Sequence, residues 1–137
     1  MTTLPFLDTN ILLRHMLQDQ ADHSSRATAL LRRVAAGEVV VYTSETVIFE
    51  AVYVLYKQLG IAKRQIAEGL HDILGLAGMI VPNRDSLSSA LAFWTDHGGL
   101  SFADCFHLAL AGHWGLVSIY TFDQKMDRYP GVTRIEP

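Results

Sequence analysis

The chain has 137 residues, half of them hydrophobic, which fits a single domain spanning residues 1–137 that can bury about two thirds of its unfolded surface. Only 18% of residues are charged, 11 basic against 14 acidic for a net charge of −3, so a polycationic nucleic-acid coat protein is excluded and any such contact must use a local patch or metal ions. One cysteine, Cys105, excludes an internal disulfide and Cys-rich zinc motifs, and points to a reducing cytoplasm.

The N-terminus lacks a basic region and meets Asp8 too early for the apolar segment of a secretory leader. Residues 4–7 therefore read as a short strand, and Thr9 or Asn10 as the cap of a helix carrying Ile11, Leu12 and Leu13. A second helix is expected over about 23–36, stopped by Gly37, and the β-branched run 39–42 is too short for anything but a buried strand. Thr43 and Ser44 offer caps for a long helix reaching Leu59 and ended by Gly60, and an amphipathic helix follows over about 62–76. Residues 79–81 form the third strand, about 85–96 a helix closed by Gly98 and Gly99. Ser101 opens a helix that stops around 112–115. Residues 117–121 form the fourth strand and 132–135 a fifth, after a turn at Pro130 and Gly131. The stretch 105–122 has no Lys, Arg, Asp or Glu, but His107, Gly112, His113 and Gly115 divide it into a helix, a break and a buried strand rather than a membrane span. Short strands alternating with helices indicate an α/β domain with a largely parallel sheet, whose ligands sit beyond the carboxyl ends of the strands.

Asp8 and Asp123 lie at that edge, one directly after the first strand, the other shortly after the fourth. Each alone also fits a cap or turn residue. Glu50 lies in an apolar helix, one turn from Val47 and Val54, where desolvation of a carboxylate calls for a partner or an escape to water. Asp104 completes a capping box with Ser101, yet its helix carries no Lys or Arg to pair with it. Four carboxylates without clustered Cys or His are hard ligands suited to Mg²⁺ or Mn²⁺ rather than zinc. No two of the six histidines are three or four residues apart, and Walker, GxGxxG and GxSxG patterns are absent.

The segments Leu7-Asp8-Thr9-Asn10-Ile11-Leu12-Leu13-Arg14, Glu50 in its helix, Leu100-Ser101-Phe102-Ala103-Asp104-Cys105-Phe106-His107-Leu108-Ala109 and Thr121-Phe122-Asp123, in this order and spacing, resemble the PIN-domain family, particularly its VapC toxins. The resemblance covers nearly the whole chain. It implies a three-layer α/β/α sandwich with a mainly parallel five-stranded sheet, and a metal-dependent endoribonuclease whose acidic quartet is Asp8, Glu50, Asp104 and Asp123. It also implies supporting polar roles for Asn10 and Thr121, Mg²⁺ or Mn²⁺ as cofactor, a homodimer, and inhibition by a VapB-type antitoxin in a type II system.

An acidic pocket needs cations to admit RNA, and Arg14, one turn beyond Asn10, is the first candidate, ahead of Lys57, Lys63, Arg64, Lys125 and Arg128. Single-stranded or looped RNA is the expected substrate, since its bases can be splayed and read. A haloacid-dehalogenase-like phosphatase would need an acid where Asn10 stands. A non-catalytic binding module would have no use for all four acids. Phe49, Tyr53 and Tyr56 share helical spacing and read as core or dimer surface.

Overall fold

The computed structural model describes residues 3–137, so the first two residues of the stretch read above as lacking a leader lie outside the described residues. The chain divides into two units, Met1–Pro82 and Asn83–Pro137, taken here in turn.

In the first unit the expected opening strand is an extended segment bridged at Phe6 to Tyr42 in parallel. The Leu7 N–H donates to the Tyr42 carbonyl at 2.7 Å and the Tyr42 N–H to the Pro5 carbonyl at 2.9 Å. Strand β1 (Val41–Tyr42) pairs in parallel with β2 (Met79–Ile80), Val41 opposite Met79 and Tyr42 opposite Ile80. Side chains alternate across a strand, so Val41 and Met79 are buried while Phe6, Tyr42 and Ile80 share the exposed face. Gly78 is required just before β2. Its carbonyl accepts from the Val41 N–H, its N–H donates to the Val34 carbonyl, and a Cβ there would run into the Val39 carbonyl.

Helix α1 (Thr9–Leu17) starts one residue after its cap, which is Asp8 rather than Thr9 or Asn10. The chain leaves the extended segment at Leu7 and turns at once, so Asp8 takes the half-in position with extended backbone. Helix α2 (Ala21–Ala35) buries Ala27, Leu31 and Val34 at helical spacing and closes through Gly37 at φ +76°. Polar links join the two helices: His15 Nδ1 lies 2.8 Å from Thr28 Oγ1, which also accepts from Gln18 Nε2 at 3.0 Å.

The long helix expected over residues 45–59 changes character midway. Ser44 Oγ accepts from the Val47 N–H at 3.2 Å and opens α3 (Glu45–Val52), which passes into a π-helical turn, Tyr53–Gln58. There the Leu59 N–H reaches back five residues to the Val54 carbonyl at 3.0 Å. The wider turn keeps Leu55 buried and leaves Tyr53 on the surface. Nothing in the side-chain periodicity marks this switch, because it is a choice between two carbonyls. Helix α4 (Lys63–Leu74) buries Ile66, Ala67, Leu70, Ile73 and Leu74.

The second unit is built on α5 (Arg84–Asp96) packed against α6 (Phe102–His113). Leu87, Ala90, Leu91 and Trp94 of α5 and Phe102, Cys105, Phe106, Leu108 and Ala109 of α6 are buried. Trp94 meets Phe102 edge to face, centroids 6.0 Å apart, and Ser86 Oγ lies 2.6 Å from His113 Nδ1. Strands β3 (Ser118–Tyr120) and β4 (Thr133–Ile135) pair in parallel across a 3₁₀ turn, Gln124–Arg128. The uncharged stretch 105–122 resolves into most of α6, a turn at Gly115 and β3, which is not the buried strand expected: Ser118 and Tyr120 are exposed and Ile119 is half-buried. Among the described residues no helix is long and apolar enough to cross a membrane.

The fold class is thus α/β with parallel pairing, as expected. Its described strands form two parallel pairs, the first extended by the bridge at Phe6.

Burial, then the nearby Arg32, lower the His15 pKa from its ordinary 6.5. The folded chain therefore binds this proton more weakly than the unfolded chain, so stability present above the ordinary value is lost as pH falls through it towards the lowered one. Urea midpoints taken at about pH 7.5 and about pH 5.5 should fall in the wild type, and the fall should be smaller in His15→Gln.

Candidate active site

Asp8 is exposed at the carboxyl end of the opening segment, where its carbonyl accepts from the Ile11 N–H at 3.1 Å and its side chain makes no capping bond. The next residue, Thr9, is buried, and its hydroxyl donates to Glu50 Oε2 at 2.8 Å. One hydrogen bond thus ties the start of α1 to α3 and sets the orientation of a carboxylate. Glu50 itself is exposed, so both ways out of desolvation that its apolar neighbours called for are taken. Its charge reaches water, and Thr9 is its partner. Thr9 had been readable only as a helix cap. The usable signal was a hydroxyl in the first helical turn directly after an acid.

Asn10 is exposed on the first turn of α1. Arg14, one turn further, pairs with Asp19 through Nη1 and Oδ2 at 3.0 Å, while its Nε is buried without a hydrogen-bond partner among the described residues.

In the second unit the capping box at α6 forms in full. The Asp104 N–H donates to Ser101 Oγ at 3.1 Å, and the Ser101 N–H donates to Asp104 Oδ2 at 3.2 Å. Asp123 caps the 3₁₀ turn, its Oδ1 accepting from the Lys125 N–H at 3.0 Å. Thr121 Oγ1 accepts from the Asp123 N–H at 3.1 Å, and the Thr121 N–H in turn donates to the Ile135 carbonyl. Asp8 and Glu50 therefore belong to the first unit, and Asp104 and Asp123 to the second.

Among the described residues no three His, Cys, Asp or Glu side chains gather into a group that could hold a metal ion. Carboxylate oxygens are by their chemistry the donors that a hard cation prefers. Mg²⁺ and Mn²⁺ are held through one or two carboxylates, with water and substrate phosphate completing the shell. A carboxylate has about four acceptor positions, of which the contacts at Glu50, Asp104 and Asp123 use few. A closed zinc site would need nitrogen or sulfur ligands that are not gathered here.

A family model described as PIN domain matches residues 6–132, a span that contains all four acids. The chain is also 24% identical over 131 residues to a VapC ribonuclease of Mycobacterium bovis and to ribonuclease VapC13 of Mycobacterium tuberculosis. Each alignment covers 94% of this chain and 97% of the relative.

Thr9→Val keeps the shape of the side chain and removes the donor to Glu50. Because water can take over at an exposed carboxylate, the expected loss of stability is about 0.5–1.5 kcal/mol, read from urea unfolding. Unchanged stability in this variant would show that the 2.8 Å contact contributes nothing to holding α1 on α3.

Proposed function

This chain belongs to the PIN-domain family, and from that premise we propose that it is a Mg²⁺- or Mn²⁺-dependent endoribonuclease, the toxin of a type II VapBC system. The observation that carries the reading is the unbroken family match over residues 6–132. The alignment over 94% of this chain to relatives named VapC ribonucleases supports it. The reading includes one PIN domain, a three-layer sandwich with a mainly parallel five-stranded sheet. It also includes a homodimer, a VapB-type antitoxin and a cytoplasmic setting.

Asp8 and Asp104 would hold the cation directly, with Glu50 and Asp123 completing its shell or acting through water. A bound divalent cation lowers the pKa of a coordinated water and offsets charge on the phosphodiester. The protein's task is then to position oxygens. The Thr9 hydroxyl fixes one oxygen of Glu50, the Ser101 N–H fixes one of Asp104, and the Lys125 N–H fixes one of Asp123. Asn10 would orient Asp8 or a water, and Thr121 would support Asp123, whose backbone N–H donates to the Thr121 hydroxyl. Such preorganised oxygens need no rearrangement when charge develops on the phosphate.

The protein should cleave generic RNA with Mg²⁺ or Mn²⁺ and lose that activity in EDTA; undiminished cleavage in EDTA refutes the metal-dependent reading. Asp104→Asn separates a ligand from a cap. It should abolish cleavage and shrink the rise in melting temperature on adding Mg²⁺, whereas loss of a capping charge alone costs about 0.3–1 kcal/mol and spares catalysis.

In a bacterial host, expression of the wild type alone should arrest growth while Asp8→Asn does not. Equal arrest at matched protein levels would remove Asp8 from the site.

A further inference from the structure

Beside Asn10 the first unit holds a second feature that the acids do not explain. A cavity of about 420 Å³ opens between α1 and α2, lined by Asn10, Ile11 and Arg14 from α1 and by His23, Arg26 and Leu30 from α2, with Ala27 at its base. The spacing 23, 26, 27, 30 places the α2 residues on one helical face, and 10 and 14 stand one turn apart on α1. In a chain of net charge −3, this wall carries two guanidinium groups, an imidazole and an amide, and no carboxylate lines it. Its apolar patches, Ile11 and Leu30, suit a sugar rather than a second charge.

The two arginines keep unused capacity. Arg14 gives Nη1 to Asp19 at 3.0 Å, and although its Nε is buried, the other terminal nitrogen remains for a ligand. A guanidinium has five donors, so one carboxylate contact leaves several for an anion. Arg26 meets Asp22 at 3.4 Å with both side chains about three-quarters exposed, a pairing that water and a competing anion readily displace. Guanidinium forks match phosphate oxygens better than any other side chain.

We propose that this cavity is a backbone subsite for the RNA substrate, in which Arg14, Arg26 and His23 hold a phosphodiester next to the scissile one and Asn10 marks the border with the acidic site. The inference rests on the ribonuclease reading and adds to it a substrate length requirement. A strand must extend past the cleaved bond to reach the cavity, so longer RNA binds better than a dinucleotide. Contacts of this kind position the strand and carry no base preference.

The test is His23→Gln/Arg26→Gln, with Arg33→Gln as a control that removes one charge from the same helix outside the cavity. Arg33 is exposed and pairs with Glu38. With a single-stranded RNA oligonucleotide and Mg²⁺, the double variant should raise KM roughly five- to tenfold with a much smaller change in kcat. It should also flatten the slope of log affinity against log salt by about 0.7 per phosphate contact removed. A dinucleotide substrate should not distinguish it from wild type, and Arg33→Gln should match wild type on both substrates. Equal KM and equal salt slopes for double variant and wild type, while both cleave RNA, overturn the subsite and leave the ribonuclease reading standing.

If the wild type does not cleave, fluorescence anisotropy with the same labelled RNA decides. Binding weakened only in the double variant upholds the cavity and removes only the hydrolytic reading, and equal or absent binding overturns the subsite. Inorganic phosphate at matched ionic strength distinguishes a free anion. Phosphate that binds in the cavity while RNA affinity is insensitive to the double substitution assigns the cavity to small anions, and the proposal fails.

Discussion

Leu7 is buried at 2% exposure, and both of its backbone polar groups are taken. Its N–H donates to the Tyr42 carbonyl at 2.7 Å, and its carbonyl accepts from the buried Thr43 hydroxyl at 3.0 Å. Leaving either group unpaired in that position would cost about 1–3 kcal/mol, so the chain has one register in which it can leave the segment. Asp8 consequently emerges at a set point, and α1 begins at the residue after it. The Thr9 hydroxyl then carries this register to Glu50 on α3. The positions of two acids of the first unit follow from the satisfaction of one buried leucine.

The acids recur at helix starts. Asp8 caps α1, Asp104 sits in the first turn of α6 and Asp123 caps the 3₁₀ turn. A negative side chain is favoured there by the unpaired N–H groups and the positive end of the helix dipole. The same N–H groups hold a carboxylate still: one oxygen is anchored at Asp104 and one at Asp123, while the remaining lone pairs point elsewhere. Capping therefore leaves the proposed ligand role open to the same carboxylates.

Cations are distributed just as unevenly. Arg134 is held by Asp127 and Glu136, the latter at 2.6 Å, with only 16% of its side chain exposed. Its guanidinium is committed to the second unit's own chain. Arg14 and Arg26, by contrast, face a cavity with no acid in its wall. For a polyanion approaching a chain of net negative charge, cations with donors to spare, rather than the total, decide where it settles.

Much of this was legible in the residues. The order of helices and strands followed from apolar periodicity and from Gly and Ser at element ends, and the capping box at Ser101 and Asp104 could be written down from their spacing of three. The four acids and their family could be read from linear motifs. The residues could not disclose the exposure of Glu50, its bond to Thr9, the shift of the first cap to Asp8 or the π-helical turn at Tyr53–Gln58. Periodicity encodes which face of an element is apolar, and it does so within one or two turns. Which carbonyl an N–H selects, and which hydroxyl meets a carboxylate 41 positions away, depend on how separate elements come together, and that is settled only when the core closes and every buried polar group must find a partner.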